Sequence, residues 1–222
     1  MLPELSEDEA KVRIARKIAS ELKDGELVNL GIGIPQLVPK YLPEGVHLIL
    51  QTENGAINAG ATKEKRDLRT IDAGGAPITI LPGGALISSE LSFAIMRGGH
   101  VDATVLGALE VDAEGSLASW MIPQVRVPGM GGAMDIATGS KMVYVATRHF
   151  DKRGKSKLVQ KCTLPLTGRC VVDVVVTEYC VLRNSYGRMV MTALAEDAPL
   201  RELLDRTEMK IYVSSQLTKE KF

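Results

Sequence analysis

The stretch that decides the fold is PITILPGGALISSELSFAIMRGGHVDATVLGALEVD, residues 77–112. Apolar runs rich in β-branched residues lie at its two ends and adjoin glycine-rich turns, a pattern that predicts strands. Between them, Ser88 or Ser89 can cap a helix over 89–97 that ends before Gly98. An alternation of strands and helices favours a parallel sheet with helices packed against it.

Apolar runs of the same kind recur along the chain. They are ELVNLGIG, VHLILQTE, KMVYVATRHF and CVVDVVVTEYCVLR, which we also interpret as strands. Ahead of them, Ser6 and Glu9 form a capping box that begins an amphipathic helix. Pro35 suits the first turn of a helix over 35–42. No linker or internal repeat divides the chain, so the sequence predicts one α/β domain over residues 1–222, with a mostly parallel sheet flanked by helices.

The charge balance of the chain argues against two classes of partner. Lys plus Arg and Asp plus Glu are equal at 27 each among 222 residues, and no block of like charges stands out, so neither a nucleic-acid surface nor an anionic-membrane surface is expected. No apolar run has the roughly 18 residues of a spanning helix, and the acidic N-terminal segment is unlike a signal peptide. We therefore expect a cytoplasmic protein whose partners are a small molecule or another protein.

The reactive residues give no support to metal or triad chemistry. Cys162, Cys170 and Cys180 lack metal-type spacing and are expected to be reduced structural thiols. Of the three histidines, His100 at the end of RGGH is the best candidate for catalysis, although a structural role after a helix is the stronger interpretation. No metal site is predicted.

Glycine-rich turns flank many of the apolar runs, in NLGIGIP, LPGG, RGGH and VPGMGGAMD. Such glycines let a ligand approach the backbone, as a crevice at the carboxyl edge of an α/β sheet requires, although any single one can be only a tight turn. The segment GIGIPQ breaks the dinucleotide pattern G-x-G-x-x-G, and no P-loop pattern occurs, so nucleotide cofactors are disfavoured. An elongated ligand such as a pantetheine arm fits better, and no tightly bound cofactor is predicted.

A lone acid stands at the end of one apolar run, in LILQTENGAINAG, residues 48–60. Glu53 follows a predicted strand and precedes an Asn-Gly turn, which would present its carboxylate at the rim of a crevice. An ionised, partly desolvated carboxylate can act as a nucleophile or as a base. The alternative is that Glu53 caps a turn or forms an ion pair. The nearby cations for such a pair are Lys63, Lys65 and Arg66.

Taken together, the motifs resemble those of one family. The order and spacing of VNLGIGIP, QTENG, LPGGALISSELSFAIMRGGHVDATVLGALEVD, LASWMIPQVRVPGMGGAMD and KCTLPLTG are similar to the β subunit of the bacterial 3-oxoacid and acetate CoA-transferases. The resemblance covers roughly residues 10–185. The combination of E-N-G, R-G-G-H-x-D and G-M-G-G-A-M-D is far more specific than any of its parts. The resemblance implies that this chain has the open α/β domain of that family.

The resemblance also implies roles for five residues. Glu53 matches the glutamate of the family's E-N-G motif, the nucleophile that carries CoA as a glutamyl thioester. Gly132 matches the position whose N–H stabilises the oxyanion, and Asn29 matches an active-site asparagine that orients the glutamate or the substrate. Gly107 and Gly131 match positions where CoA passes against the chain.

By resemblance, CoA would move in a ping-pong reaction between a short-chain acyl-CoA and a free carboxylic acid. The acyl-CoA would be acetyl-, succinyl-, butyryl- or acetoacetyl-CoA, and coenzyme A would be a substrate rather than a bound cofactor. An α subunit would complete the active site in an α2β2 heterotetramer. The sequence departs from the family at two places, of which the loop after Glu53 can change the acyl group that is recognised, whereas any role of the missing lysine must be absent or supplied elsewhere. The chain reads ENGAINAGATKEKRD where the family often has a G-x-G-P turn, and it has Gly75 where some relatives have a lysine.

Two other interpretations stay open at this point. The chain could be a subunit that binds acyl-CoA or stabilises its partner without turnover, particularly if the altered loop after Gly55 blocks the acceptor. With weaker support, it could be a sugar-phosphate isomerase-like enzyme on a related α/β architecture, which would need a general base beside a phosphate cradle.

Overall fold

The computed structural model describes residues 1–61, 69–125 and 127–222. Within those ranges, the helices are α1 (Glu7–Ala19), α2 (Ser89–Arg97), α3 (Ala133–Gly139) and α4 (Leu200–Arg206), and a 3-10 helix spans Ile34–Tyr41. The strands are β1 (Leu27–Leu30), β2 (Ile49–Gln51), β3 (Ala56–Ala61), β4 (Ile78–Leu86), β5 (Ala103–Leu106), β6 (Glu110–Asp112), β7 (Leu117–Ala118), β8 (Val143–Ala146), β9 (Leu158–Val159), β10 (Val174–Val176), β11 (Cys180–Asn184), β12 (Met189–Ala195) and β13 (Tyr212–Glu220).

The first two α-helices begin where the sequence predicts. The Glu9 N–H donates to the Ser6 hydroxyl at 3.2 Å and the Ser6 N–H donates to the Glu9 carboxylate at 2.9 Å, so the capping box begins α1. The Ser88 hydroxyl accepts a main-chain N–H from the first turn of α2. The helix expected over 35–42 is a 3-10 helix instead, because Pro39 lies inside it and has no N–H to donate to an α-helical bond.

Within the described residues, ten strands form one sheet in the order β13-β12-β11-β10-β8-β5-β1-β2-β3-β4, and β7-β6-β9 form a small second sheet. The central strands β10, β8, β5, β1 and β2 run parallel. Antiparallel pairs extend the sheet on both sides, through β3 and β4 at one end and through β11 and β12 at the other. The predicted α/β fold with a mostly parallel sheet is confirmed.

Burial distinguishes the central parallel strands from the edge strand β4. Every residue of β5, β8 and β10 is buried, as expected for strands covered on both faces, whereas β4 at the sheet edge is mostly exposed. The run at 77–84 contributes to β4, an antiparallel edge strand, although its composition resembles that of the central strands. Burial on both faces thus coincides with parallel pairing at the centre of the sheet.

Helices cover both faces of the central sheet. Ile14 and Ile18 of α1 pack in one apolar cluster with Tyr144 of β8. Helices α2, α3 and α4 contribute to the other cluster, which contains Val143 and Val145 of the same strand. Because adjacent residues of β8 point to opposite clusters, the sheet separates two cores. Among the described residues, no helix has the length and apolar character needed to cross a membrane.

The strand order reverses at β1. The chain continues from β1 to β2 on one side and later places β5 on the other side. In open α/β sheets, the carboxyl ends of the strands at such a point form a ligand crevice. Gly31 follows β1, Thr52 follows β2 and Gly107 follows β5. These three turns therefore share the edge of the sheet where a ligand is expected.

Candidate active site

Glu53 lies in the tight turn between β2 and β3. The Thr52 N–H donates to the Ala56 carbonyl at 2.9 Å and the Gly55 N–H donates to the Thr52 carbonyl at 3.0 Å, so three residues form the loop of a hairpin. Gly55 has a φ of +112°. A Cβ there would also overlap the Ile87 carbonyl oxygen, so the turn requires glycine. The turn holds Glu53 at the carboxyl end of β2.

The Glu53 carboxylate meets the backbone at the start of α3. The Gly132 N–H donates a long hydrogen bond to Glu53 Oε1 at 3.4 Å. A Cβ on Gly132 would stand 2.5 Å from Oε2 and 3.0 Å from Cδ of the same side chain. At Gly131, where φ is +57°, a Cβ would stand 3.4 Å from Oε1. A side chain at position 132 would displace the carboxylate, which explains the glycine there.

Helix α2 fixes the position of this backbone. Arg97 Nε lies 2.7 Å from Asp135 Oδ1, an ion pair that joins α2 to the first turn of α3. The Arg97 guanidinium also lies 5.4 Å from the centroid of the Phe93 ring. Gly139 allows the two helices to approach closely, because a Cβ there would overlap the main chain of α2. The N-terminal end of α3 is therefore held against Glu53 by contacts along both helices.

A buried network of polar side chains on the central strands and α2 supports the turn that carries Glu53. Gln51, Asn29 and Thr104 stand in register across β2, β1 and β5, and all three are buried. Asn29 Nδ2 donates to the Gln51 carbonyl at 3.1 Å, and Gln51 Nε2 donates to Ser92 Oγ at 2.7 Å. Ser92 Oγ in turn donates to the carbonyl of Thr52 at 3.1 Å. The network thus ends at the peptide immediately before Glu53.

The structure brings three of the five predicted site residues together. Glu53, Gly131 and Gly132 are in contact, and Glu53 is half-buried. Asn29 bonds to Gln51, so its link to the Glu53 turn runs through that residue. Gly107 lies at the same sheet edge, two strands from β2, and open space surrounds the position of a Cβ. The cations considered as ion-pair partners of Glu53 lie outside the described residues. They are Lys63, Lys65 and Arg66.

Sequence reasoning missed the residues that support the site. Gln51 is a polar residue at the end of the apolar run VHLILQ, a signal that could have marked it. Ser92 and Phe93 lie inside a helical pattern, where a buried hydroxyl and an aromatic ring are ordinary core residues. Only the packing of α2 against the Glu53 turn reveals their position beside the site.

Burial makes two of the cysteines and one of the histidines unsuited to catalysis. Burial raises the pKa of the Cys162 and Cys180 thiols to about 12, so both stay protonated at neutral pH. Burial lowers the pKa of His149 to about 3, and its ring bonds to the Thr207 hydroxyl at 2.8 Å. His100 is exposed beyond the C-terminal end of α2. Among the described residues, no group of three or more His, Cys, Asp or Glu could hold a metal ion.

Comparison with known proteins relates the chain to one group of enzymes. The family model for Coenzyme A transferase matches residues 11–194. The beta subunit of the acetate CoA-transferase of Escherichia coli (strain K12) is 47% identical over 214 residues, which cover 96% of this chain and 98% of that protein. One subunit of the succinyl-CoA:3-ketoacid coenzyme A transferase of Helicobacter pylori is 42% identical over 202 residues, which cover 90% of this chain and 97% of that protein.

A solved structure shares the fold. An acyl-CoA transferase of Escherichia coli O157:H7 superposes with a TM-score of 0.74 at 19% identity, covering 99% of this chain and 44% of that chain. This chain therefore spans less than half the length of that protein. At such low identity, the likeness concerns the fold alone.

Proposed function

Because this chain belongs to the coenzyme A transferase family, we propose that it is the β subunit of an enzyme that moves CoA between a short-chain acyl-CoA and a free carboxylic acid. The acyl-CoA substrates we propose are acetyl-, succinyl-, butyryl- and acetoacetyl-CoA. The names of the two relatives, acetate and succinyl-CoA:3-ketoacid CoA-transferase, support this class of short acids. Coenzyme A enters and leaves as a substrate, and the chemistry needs no other cofactor.

One contact carries the proposal. Glu53 presents a half-buried carboxylate at the carboxyl edge of a parallel sheet, and a backbone N–H from Gly132 already points at one of its oxygens. A carboxylate in that position can form a covalent bond to an acyl group, which divides a difficult transfer into easier steps. We therefore assign Glu53 as the nucleophile.

The first half-reaction transfers CoA onto the enzyme. Oε2 of Glu53 attacks the thioester carbonyl carbon, the carbon–sulfur bond breaks, and CoA leaves as a thiolate, giving an acyl-glutamyl anhydride. The thiolate then attacks Cδ of Glu53, and the donor acid leaves as a carboxylate. The product is a glutamyl-CoA thioester. Each step begins and ends with one anion, so no proton has to be supplied or removed.

The second half-reaction reverses these steps with a different acid. The acceptor carboxylate attacks Cδ of Glu53 and expels the CoA thiolate, forming a new anhydride. The thiolate attacks the acyl carbon of the acceptor and releases the Glu53 carboxylate with the new acyl-CoA. The free energy of the thioester is retained throughout, which explains why the exchange requires no nucleoside triphosphate.

The Gly132 N–H has a defined task in this scheme. Whenever Cδ of Glu53 is attacked, negative charge develops on Oε1, the oxygen to which this N–H already points at 3.4 Å. A hydrogen bond that strengthens as the charge develops lowers the barrier, and such a donor is typically worth about 2.7–4 kcal/mol. Asn29 contributes indirectly, by holding Gln51 at the end of β2.

The CoA chain is proposed to pass over two glycines. Gly107 lies at the strand-order reversal with open space above its Cα, which would let a pantetheine arm approach the backbone. Gly131 adjoins the carboxylate, so the reactive end of CoA would lie there. In this proposal, CoA extends along the sheet edge from one position to the other.

A partner chain completes the proposal. The Escherichia coli relative is named as a beta subunit and the Helicobacter pylori relative as one subunit of its enzyme, and one solved structure carries the equivalent fold in 44% of a longer chain. We therefore propose an α subunit that closes the crevice, in an α2β2 assembly. We also propose that residues 1–222 act as one domain, because both apolar clusters pack on the same sheet. A cytoplasmic location is part of this proposal.

The test is an isotope-exchange assay on the complex with its partner chain, measuring labelled acetate incorporated into acetyl-CoA. Glu53→Gln keeps the shape of the side chain but removes its nucleophile, so the exchange rate should fall by about 10⁴-fold or more. Glu90→Gln removes an exposed acid from the first turn of α2 and serves as the control. Exchange that survives in Glu53→Gln would refute the assignment. A wild-type complex that binds acyl-CoA without exchange would favour the non-catalytic alternative.

A further inference from the structure

The Phe93 ring forms an apolar wall beside the Glu53 carboxylate. The position that a Cβ would take on Gly132 lies 3.1 Å from Phe93 Cζ and 2.5 Å from Glu53 Oε2. The tip of the ring and this carboxylate oxygen therefore both lie close to the same point. Phe93 is half-buried, and it packs against the apolar cluster that contains Val143 and Val145.

The two oxygens of Glu53 face different surroundings. Oε1 accepts the Gly132 N–H, whereas Oε2 is the atom nearest the point that it shares with the ring. In the proposed function, Oε1 stays the carbonyl oxygen of the glutamyl anhydride and of the glutamyl-CoA thioester, and Oε2 forms the bond to the acyl carbon. The acyl chain would therefore begin within reach of the Phe93 ring.

The ring has little freedom to move away. The Arg97 guanidinium lies 5.4 Å from its centroid, and Arg97 is itself held by Asp135 at 2.7 Å. Phe93 also packs against the buried cluster to which Met96 of the same helix belongs. A longer acyl chain would have to displace a ring that is supported by a cation and by the core.

We propose that Phe93 is a specificity-determining residue, which restricts the donor and the acceptor to short carboxylic acids by limiting the space beside Glu53 Oε2. This inference rests on the proposed function of Glu53. Donor and acceptor acids occupy the same place in a ping-pong exchange, so the restriction applies to both. The ring itself offers no charged group to select a second carboxylate on the acyl chain.

Two substitutions with opposite effects test the inference in the complex with its partner chain. Phe93→Leu keeps an apolar side chain on the core but removes the tip of the ring. It should raise the ratio of kcat/KM for hexanoyl-CoA to that for acetyl-CoA by about tenfold or more. Space for one more methylene group in an apolar pocket typically changes discrimination by at least this factor. Phe93→Trp should lower the ratio for butyryl-CoA to acetyl-CoA. Ile95→Val is the control, because Ile95 packs on the same core from the same helix.

The acceptor gives a second measurement with a single donor, acetyl-CoA. Phe93→Leu should lower the KM for hexanoate relative to that for propionate, whereas Ile95→Val should leave this ratio unchanged. If both Phe93 variants change the rates with all acids by one common factor, the inference is overturned while the proposed function stands. If the wild-type complex exchanges no acyl-CoA at all, both are overturned.

Discussion

The N–H of Gly132 lies 3.4 Å from Oε1 of Glu53, although the two residues are 79 positions apart in the sequence. Glu53 comes from the turn after a central strand, and Gly132 from the N-terminal end of a helix that packs on α2. The contact therefore forms only when the sheet edge and the helix pair are both in place. It makes the geometry of the carboxylate depend on the packing of α2.

Gly132→Ala should reduce exchange without unfolding the chain. Its Cβ would stand 2.5 Å from Glu53 Oε2, so the carboxylate must move away from the N–H that stabilises the oxyanion. Loss of one such donor lowers kcat by roughly 10²–10³-fold. Met134→Ala removes an exposed side chain from the same helix and is the control. Steady-state exchange within about twofold of wild type in Gly132→Ala would show that this position does not contact the reacting group.

Ser92→Ala should affect both stability and rate. The Ser92 hydroxyl is fully buried and joins Gln51 to the Thr52 carbonyl, so its removal leaves buried polar groups without their partner. We expect a loss of about 1–3 kcal/mol in the free energy of unfolding, together with a lower kcat because the Glu53 turn loses its support. The checks are urea unfolding and exchange kinetics. The control is Thr138→Ala, which deletes an exposed helix hydroxyl and should change neither the free energy of unfolding nor kcat.

Arg97→Gln should lower kcat and have little effect on the free energy of unfolding. The Arg97 side chain is 64% exposed in its pair with Asp135, and solvent screens such a pair, so the free energy of unfolding should change little. The pair nevertheless joins α2 to the start of α3, and kcat should fall as the Gly132 N–H loses its fixed position. Arg201→Gln removes an exposed ion pair from α4 and should leave kcat unchanged. An unaltered kcat in Arg97→Gln would contradict this role.

His149 should make the protein less stable in mild acid. Burial lowers its pKa from 6.5 to about 3, so the unfolded chain takes up the proton first as the pH falls. The contribution of neutral His149 to the free energy of unfolding is complete above pH 6.5 and is lost progressively as the pH approaches 3. Between pH 7 and pH 5 the loss in the free energy of unfolding is about 2 kcal/mol. His149→Gln can keep the hydrogen bonds to Thr177 and Thr207, and its urea midpoint should depend less steeply on pH. If the urea midpoint depends equally steeply on pH in the wild type and in His149→Gln, the prediction is contradicted.

Much of the fold follows from local patterns. The capping box at Ser6 and the cap at Ser88 begin helices where the sequence predicts, since each uses residues only three positions apart. The 3-10 helix around Pro39 and the antiparallel β4 differ from the expectation. In both cases a specific context overrides composition, namely a proline inside the helix and the uncovered edge of the sheet.

The candidate site is less accessible to sequence reasoning. Glu53 stands out because an acid ends an apolar run, whereas Gly132 is identified only by resemblance to a family. Gln51, Ser92 and Phe93 join the site through contacts between distant segments, and no local spacing encodes those contacts. A polar residue at the end of an apolar strand is the one signal in the sequence that points to this support.

Covalent trapping gives the most direct test of the central claim, that the Glu53 carboxylate accepts CoA. The complex is loaded with acetyl-CoA, treated with borohydride, digested and mapped by mass spectrometry. A thioester on the side chain should be reduced to the alcohol, so the peptide containing residue 53 should lose about 14 mass units, because two hydrogens replace one oxygen. Modification at another carboxylate, or an unmodified residue 53 in a complex that exchanges acyl-CoA, would contradict the account.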